Sequence, residues 1–164
     1  MNTFFIADTH FDDEKIIDFE NRPFKDADEM NGIIISRWNE IVSDEDIVYL
    51  LGDIGNDDYI KQLKGIKYLV KGNHDTKMNE EYRKAGFVEV YDHPIIINEF
   101  WILSHEPMYV NANMPYVNLF GHVHNSPQFK TFSNFHYCIS VERINYAPIS
   151  FEKVKEDIMK ATSN

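Results

Sequence analysis

Five short apolar runs in this chain each end on a cluster of carboxylate, imidazole or amide side chains, and that recurrence restricts the folds open to it. Phe4-Phe5-Ile6-Ala7 leads into Asp8-Thr9-His10, Ile47-Val48-Tyr49-Leu50-Leu51 into Gly52-Asp53, and Tyr68-Leu69-Val70 towards Gly72-Asn73-His74-Asp75. Phe100-Trp101-Ile102-Leu103 leads into Ser104-His105, and Val117-Asn118-Leu119-Phe120 into Gly121-His122-Val123-His124. Short apolar runs rich in β-branched and aromatic residues read as buried strands. Their polar ends then converge at one end of a sheet, the crevice where α/β proteins hold their ligands.

Between these runs the first half of the chain alternates strand and helix. Ile16, Ile17 and Phe19 suggest a short helix, followed by the turn Asn21-Arg22-Pro23-Phe24. Asp26 with Glu29 forms a capping box ahead of Met30, Ile33, Ile34, Trp38, Ile41 and Val42 at helical spacing, with Gly32 a weak point inside that helix. A short helix is expected near 59–63, a strand over 66–70, and a helix over 79–85 ended by Gly86. From Phe87 the candidates are closely spaced strands at 87–91, 94–97, 100–103, 117–120, 135–141 and 147–149. Ser150 caps a terminal amphipathic helix carrying Phe151, Val154, Ile158 and Met159, with fraying expected over 161–164.

A length of 164 residues with 43% hydrophobic content suits a single domain over 1–164 with its own core. Repeats, low-complexity tracts and linkers are absent from the sequence. The formal charge of -11 repels polyanions and disfavours general binding to nucleic acid or anionic membrane. Apolar neighbours around the single cysteine, Cys138, mark it as core filling and fit a reducing compartment. The start of the chain carries no basic, apolar leader, and the longest apolar neighbourhood, 94–103, is broken by Asn98 and Glu99, so a soluble cytoplasmic protein is expected.

Clustered Asp, His and Asn side chains without a thiolate suit hard or borderline divalent cations, with Mn favoured and Fe, Zn or Ni also accommodated. Two such ions about 3.5 to 4 Å apart need a bridging carboxylate plus carboxylate, imidazole and carbonyl ligands. The pair lowers the pKa of a bound water, supplying hydroxide near neutrality, and clamps the oxygens of a phosphoryl group during in-line displacement. Taken singly, each residue has a structural explanation as loop cap, turn residue or core histidine. Five of the seven histidines nevertheless fall at these strand ends, leaving His93 and His136 outside.

The ordered set resembles the calcineurin-like metallophosphoesterase superfamily, whose D-x-H, G-D, G-N-H-[DE], H and G-H-x-H signature spans residues 8–124 here. The resemblance implies a metallophosphoesterase fold of the α/β class, two mixed β-sheets packed face to face and flanked by helices. It implies one metal on Asp8, His10 and His124, a second on Asn73, His105 and His122, and Asp53 bridging them. It also implies that His74, with no metal, lies over the phosphate and protonates or stabilises the leaving oxygen.

Many members continue the second motif as G-D-x-x-[DN]-R, with an arginine that grips phosphate. Here Asn56 stands where a residue orients the catalytic histidine, and Asp57 stands where the arginine would be. Arg22 is the expected replacement for that arginine, making Arg22, Asn73 and His74 the expected substrate contacts and His74 with Asn56 the catalytic set. Phe11, Tyr109, Tyr116 and Phe129 are weighed as stacking surfaces, and 106–115 as the substrate loop. The expected function is hydrolysis of a small phosphomonoester or phosphodiester, with nucleotides the first guess. A nuclease on polynucleotide and a non-catalytic scaffold of the same fold stand as alternatives. The acidic charge opposes the first, and the complete ligand set with His74 opposes the second.

Overall fold

The computed structural model describes residues 1–162. Its first sheet is built on β1 (Thr3–Ile6), β2 (Ile47–Leu50), β3 (Ile66–Val70) and β4 (Phe87–Tyr91), all parallel, with β9 (Ile149–Ser150) added antiparallel beside β1 in the order β4-β3-β2-β1-β9. The second sheet runs β5 (Ile95–Ile97), β6 (Trp101–Leu103), β7 (Val117–Phe120) and β8 (His136–Cys138), antiparallel at β5-β6 and parallel thereafter. This is the mixed α/β, two-sheet arrangement expected from the sequence.

Side chains on successive strand residues point to opposite faces, and β1 separates two cores in this way. Phe4 and Ile6 join the core that includes Ile34, Trp38 and Tyr82, whereas Phe5 and Ala7 join Leu51, Val70, Leu103, Leu119 and Ile139 between the sheets. Burial on both faces explains why β1 reads as an unbroken apolar run. The layer outside the first sheet comes from α1 (Glu14–Phe19), α2 (Ala27–Ile41), a 3-10 helix (Asp57–Gln62) and α3 (Asn79–Ala85). Asp26 caps α2 by accepting the Glu29 N–H at 2.8 Å, while the Glu29 carboxylate reaches one residue further back, to the Lys25 N–H at 2.7 Å.

Two segments depart from the expected elements. The strand expected over 135–141 stops at Cys138, because Ala7 draws the following residues into a bridge across to the first sheet: Ala7 N–H donates to Ile139 O at 3.1 Å, and Val141 N–H to Ala7 O at 3.2 Å. The chain then turns through a second 3-10 helix, Val141–Arg143. The strand expected over 147–149 lies at β9. The terminal helix α4 (Phe151–Thr162) begins where Ser150 Oγ accepts the Lys153 N–H at 3.2 Å. It is helical through Thr162, and the remaining fraying expectation lies outside the described residues. Among the described residues no helix is long and apolar enough to cross a membrane.

Candidate metal centre

Each motif occupies the loop leaving the C-terminal end of a strand: β1, β2 and β3 in one sheet, β6 and β7 in the other. These loops extend the parallel pairing beyond the strands, with Asp8 N–H on Gly52 O at 3.0 Å and His10 N–H on Asp53 O at 3.0 Å. Backbone N–H groups of one motif also fix the carboxylate of another. His122 N–H donates to the Asp8 carboxylate at 3.0 and 3.1 Å, and His74 N–H to Asp53 Oδ1 at 2.9 Å. Asp75 takes the N–H groups of Asp53, Ile54 and Gly72 at 2.8, 3.1 and 2.8 Å, pinning the second and third loops together.

The tightness of this packing leaves a backbone signature. Asp8, His10, Asp53, His122 and His124 all have positive φ, between 46° and 67°. Such conformations cost roughly 1 to 3 kcal/mol each in non-glycine residues, and they persist where surrounding contacts enforce them. Gly72 shows how little room remains, since a Cβ there would lie 2.3 Å from Asp53 Oδ1 and 2.9 Å from His105 Cε1.

Two clusters result. Asp8, His10 and His124 converge in one, and Asp53, His105 and His122 in the other, with the ligand atoms of each within 4.8 Å of one another. Asn73 Oδ1 completes the second, 2.9 Å from His105 Nε2 and 3.0 Å from His122 Nδ1. Asp53 Oδ2 lies 3.3 Å from His105 Nε2 and 3.7 Å from His10 Nε2, between the two groups. The structure therefore brings together all seven ligand candidates named from sequence.

Several features suit divalent cations. His10 Nε2 is buried with no hydrogen-bond partner, an arrangement that is costly unless a ligand meets it. His105 Nδ1 faces Leu51 O at 2.8 Å and His124 Nδ1 faces Glu142 Oε1 at 3.0 Å, leaving Nε2 of each ring for a metal. His105 Nε2 and His122 Nδ1 lie 3.2 Å apart around the Asn73 oxygen, an arrangement in which a cation can take the place of a proton shared among the three. The chemistry of the donors is mixed nitrogen and oxygen, as first-row divalent ions prefer.

Electrostatics follow from this crowding. Burial raises the Asp8 pKa to about 6 despite the opposing charges of His124 and His105. Burial likewise lowers His10 to about 4, leaving a neutral imidazole at pH 7. For Asp53 burial acts upward, but the hydrogen bond and charge of His105 and the His74 N–H outweigh it and hold the carboxyl at about 2. Burial acts downward on His105, yet its bond to Asp53 and the charges of Asp8 and Asp53 lift it to about 9. A proton on His105 thus balances the carboxylates where a metal would.

His74 belongs to neither cluster. Its side chain is 68% exposed, with Nε2 4.0 Å from Asp53 Oδ2 and the ring 5.8 Å from that of His10. Its ring stands over the clusters, open to the cleft.

Two expected roles are not matched by position. The Arg22 side chain is 0% exposed and pairs with Glu142 at 2.7 Å; it also donates to the backbone oxygens of Asp8 at 2.8 Å and Thr9 at 3.1 Å. It braces the first metal loop from behind and is sealed from any phosphate. Asn56 donates to Asp12 at 2.7 Å and caps the 3-10 helix by accepting the Asp58 N–H at 3.0 Å, so both ends of its amide are engaged away from His74. Asp57, at the arginine position, pairs with Lys77 at 2.5 Å. Among the aromatic candidates, Phe11 is buried and stacked on Tyr59, whereas Tyr109 is 93% exposed. Within 106–115, Glu106 lines the cavity beside Asn73 and His105.

Glu142 escaped the sequence reading. Its side chain is 4% exposed, orients His124 and neutralises Arg22, yet it lies outside every motif and no local pattern marks it.

The fold and this centre define a class. The calcineurin-like phosphoesterase superfamily domain matches residues 1–138, and the chain belongs to that family. An uncharacterized protein of Methanocaldococcus jannaschii is 32% identical over 96% of this chain and 91% of its own length. The gene 66 protein of Mycobacterium phage L5 is 28% identical over 56% of this chain and 50% of its own. The crystal structure of a protein of unknown function from Aquifex aeolicus superposes with a TM-score of 0.75 at 29% identity, covering 94% of this chain and 98% of that one.

Proposed function

We infer that the protein hydrolyses small phosphate esters at a centre holding two divalent cations. The observation that carries this reading is the pair of clusters meeting at Asp53, buried at Asp8, His10, Asp53 and His105 and open to the cleft at His122, with His74 beside them in neither cluster. Asp8, His10 and His124 would hold one ion, and Asn73, His105 and His122 the other, with Asp53 shared. Bound there, the ions supply Lewis acidity and an activated water. His74 presents its ring where a leaving oxygen departs and acts as the proton donor to it. Arg22, Glu142 and Asp75 hold the ligand loops in register. No free arginine reaches the centre from position 57, so phosphate oxygens are met by the ions and by other groups of the cleft. Manganese is the expected ion, on the chemistry of the donors alone.

The test is hydrolysis of bis(p-nitrophenyl) phosphate and p-nitrophenyl phosphate. Activity should vanish on chelation and return with Mn. Full turnover in a preparation shown metal-free by elemental analysis would overturn the reading.

A further inference from the structure

The cleft over the clusters has an opposite wall. It encloses about 370 Å³, with His10, Asp53, His74, His122 and His124 from the metal loops and Asp13, Lys15, Ile16 and Phe19 from the start of α1. Lys15 and Phe19 are four residues apart, so they stand one above the other on the same helix face, separated by about 6 Å of rise. Ile16 and Ile17 of α1 are buried and anchor it to the core, which turns the Lys15/Phe19 face outward.

Both residues are unusual for where they stand. The Lys15 side chain is exposed and makes no hydrogen bond or ion pair among the described residues, although its backbone N–H caps onto Asp13. Elsewhere Lys71 and Lys77 are paired with Asp92 and Asp57, and Arg22 is sealed beneath the loops. Lys15 is therefore the one lysine or arginine among the described residues lining this cleft. Phe19 leaves 80% of its surface in water, more than any other described phenylalanine. A lone exposed apolar residue needs no explanation by itself, but this ring stands beside a free ammonium on the rim of a charged cleft.

We propose that the Lys15/Phe19 face of α1 is the substrate-recognition wall, with Lys15 meeting a phosphate oxygen and Phe19 stacking on a flat aromatic group joined to that phosphate, as in a nucleotide. Lys15 thereby takes the part left open by Asp57 and by the burial of Arg22. The proposal rests on the phosphate-ester reading of the site for its choice of ligand, but its test reads binding and is independent of turnover.

The experiment is calorimetric titration of the Mn-loaded protein with AMP, ribose 5-phosphate and inorganic phosphate, for wild type, Lys15→Ala, Lys15→Arg, Phe19→Ala and Phe19→Tyr. Wild type should bind AMP roughly 10-fold more tightly than ribose 5-phosphate, the usual worth of one base on an aromatic ring. Phe19→Ala should abolish that preference without weakening ribose 5-phosphate, and Phe19→Tyr should keep it. Lys15→Ala should weaken all three ligands by a similar factor, with partial recovery in Lys15→Arg. Equal affinity of wild type for AMP and ribose 5-phosphate, or a preference that survives Phe19→Ala, would overturn the stacking role. Unchanged phosphate affinity in Lys15→Ala would overturn the ammonium role. A wild type that discriminates these ligands as expected but hydrolyses no ester would sustain the recognition wall and remove the catalytic reading.

Discussion

At the scale of single residues, the site separates groups that hold cations from one that is free to move a proton. His74 makes no side-chain contact that a ligand requires, so His74→Ala should retain both ions and the fold while slowing turnover by roughly 10² to 10⁴, the worth of a positioned general acid. The loss should be small for nitrophenyl esters, whose leaving group needs little protonation, and larger for alkyl esters. His122→Ala should instead lose metal and activity together, because its Nδ1 sits 3.0 Å from Asn73 Oδ1 in the second cluster. Parallel metal analysis and kinetics across a leaving-group series decide it; a His74→Ala protein that loses an ion would make His74 a ligand. Arg22 invites the reverse expectation. Its removal leaves the Glu142 carboxylate in the interior with His124 as its remaining partner, and breaking a buried pair from one side typically costs about 3 to 5 kcal/mol. Arg22→Ala should accordingly lower the thermal midpoint sharply. A variant with native stability but weakened phosphate binding would return Arg22 to the role first expected of it.

At the scale of elements, what positions the chemistry is the strand end. The sequence was legible there because a buried strand and a metal loop have opposite composition, and the switch from Leu51 to Gly52-Asp53 or from Phe120 to Gly121-His122 occurs within one or two residues. What could not be read was which way a short element faces and what it meets far along the chain. Ile16, Ile17 and Phe19 look like one apolar set, yet only the first two are buried. Asn56 sits at a motif position, but its amide is taken by Asp12, which lies 44 residues earlier. Glu142 meets Arg22 across 120 residues, with no periodicity to announce it. The same closeness of loops yields a prediction for Gly72. An added Cβ would press on the Asp53 carboxylate and the His105 ring, so Gly72→Ala should lower metal content while leaving far-ultraviolet circular dichroism close to wild type. A variant that keeps two ions at normal affinity would show that the third loop can move without disturbing the bridge.

At the scale of the whole molecule, the centre joins the two sheets electrostatically as well as sterically, since Asp8 and Asp53 come from one sheet and His105 and His122 from the other. A chain of formal charge -11 that gathers carboxylates into its interior needs a compensating cation. In the metal-free protein His105 provides one, and its pKa of about 9 exceeds the ordinary 6.5. A raised pKa means that this contribution is fully present below pH 6.5 and is lost as pH rises through 9; His124, raised mainly by Glu142 against the effect of burial, acts in the same direction. The rise at His105 alone stabilises the metal-free fold by at most about 3 kcal/mol. Metal displaces that proton, so loading at pH 7 should release about one proton from the second cluster. It follows that the metal-free thermal midpoint should fall between pH 6.5 and 9, while the metal-loaded midpoint changes less and the gap between them widens. Scanning calorimetry of chelated and Mn-loaded protein across that range measures the gap directly. A gap that stays constant or narrows as pH rises would mean that the bound ion does not replace the His105 proton, and that the second cluster is not where the cation binds.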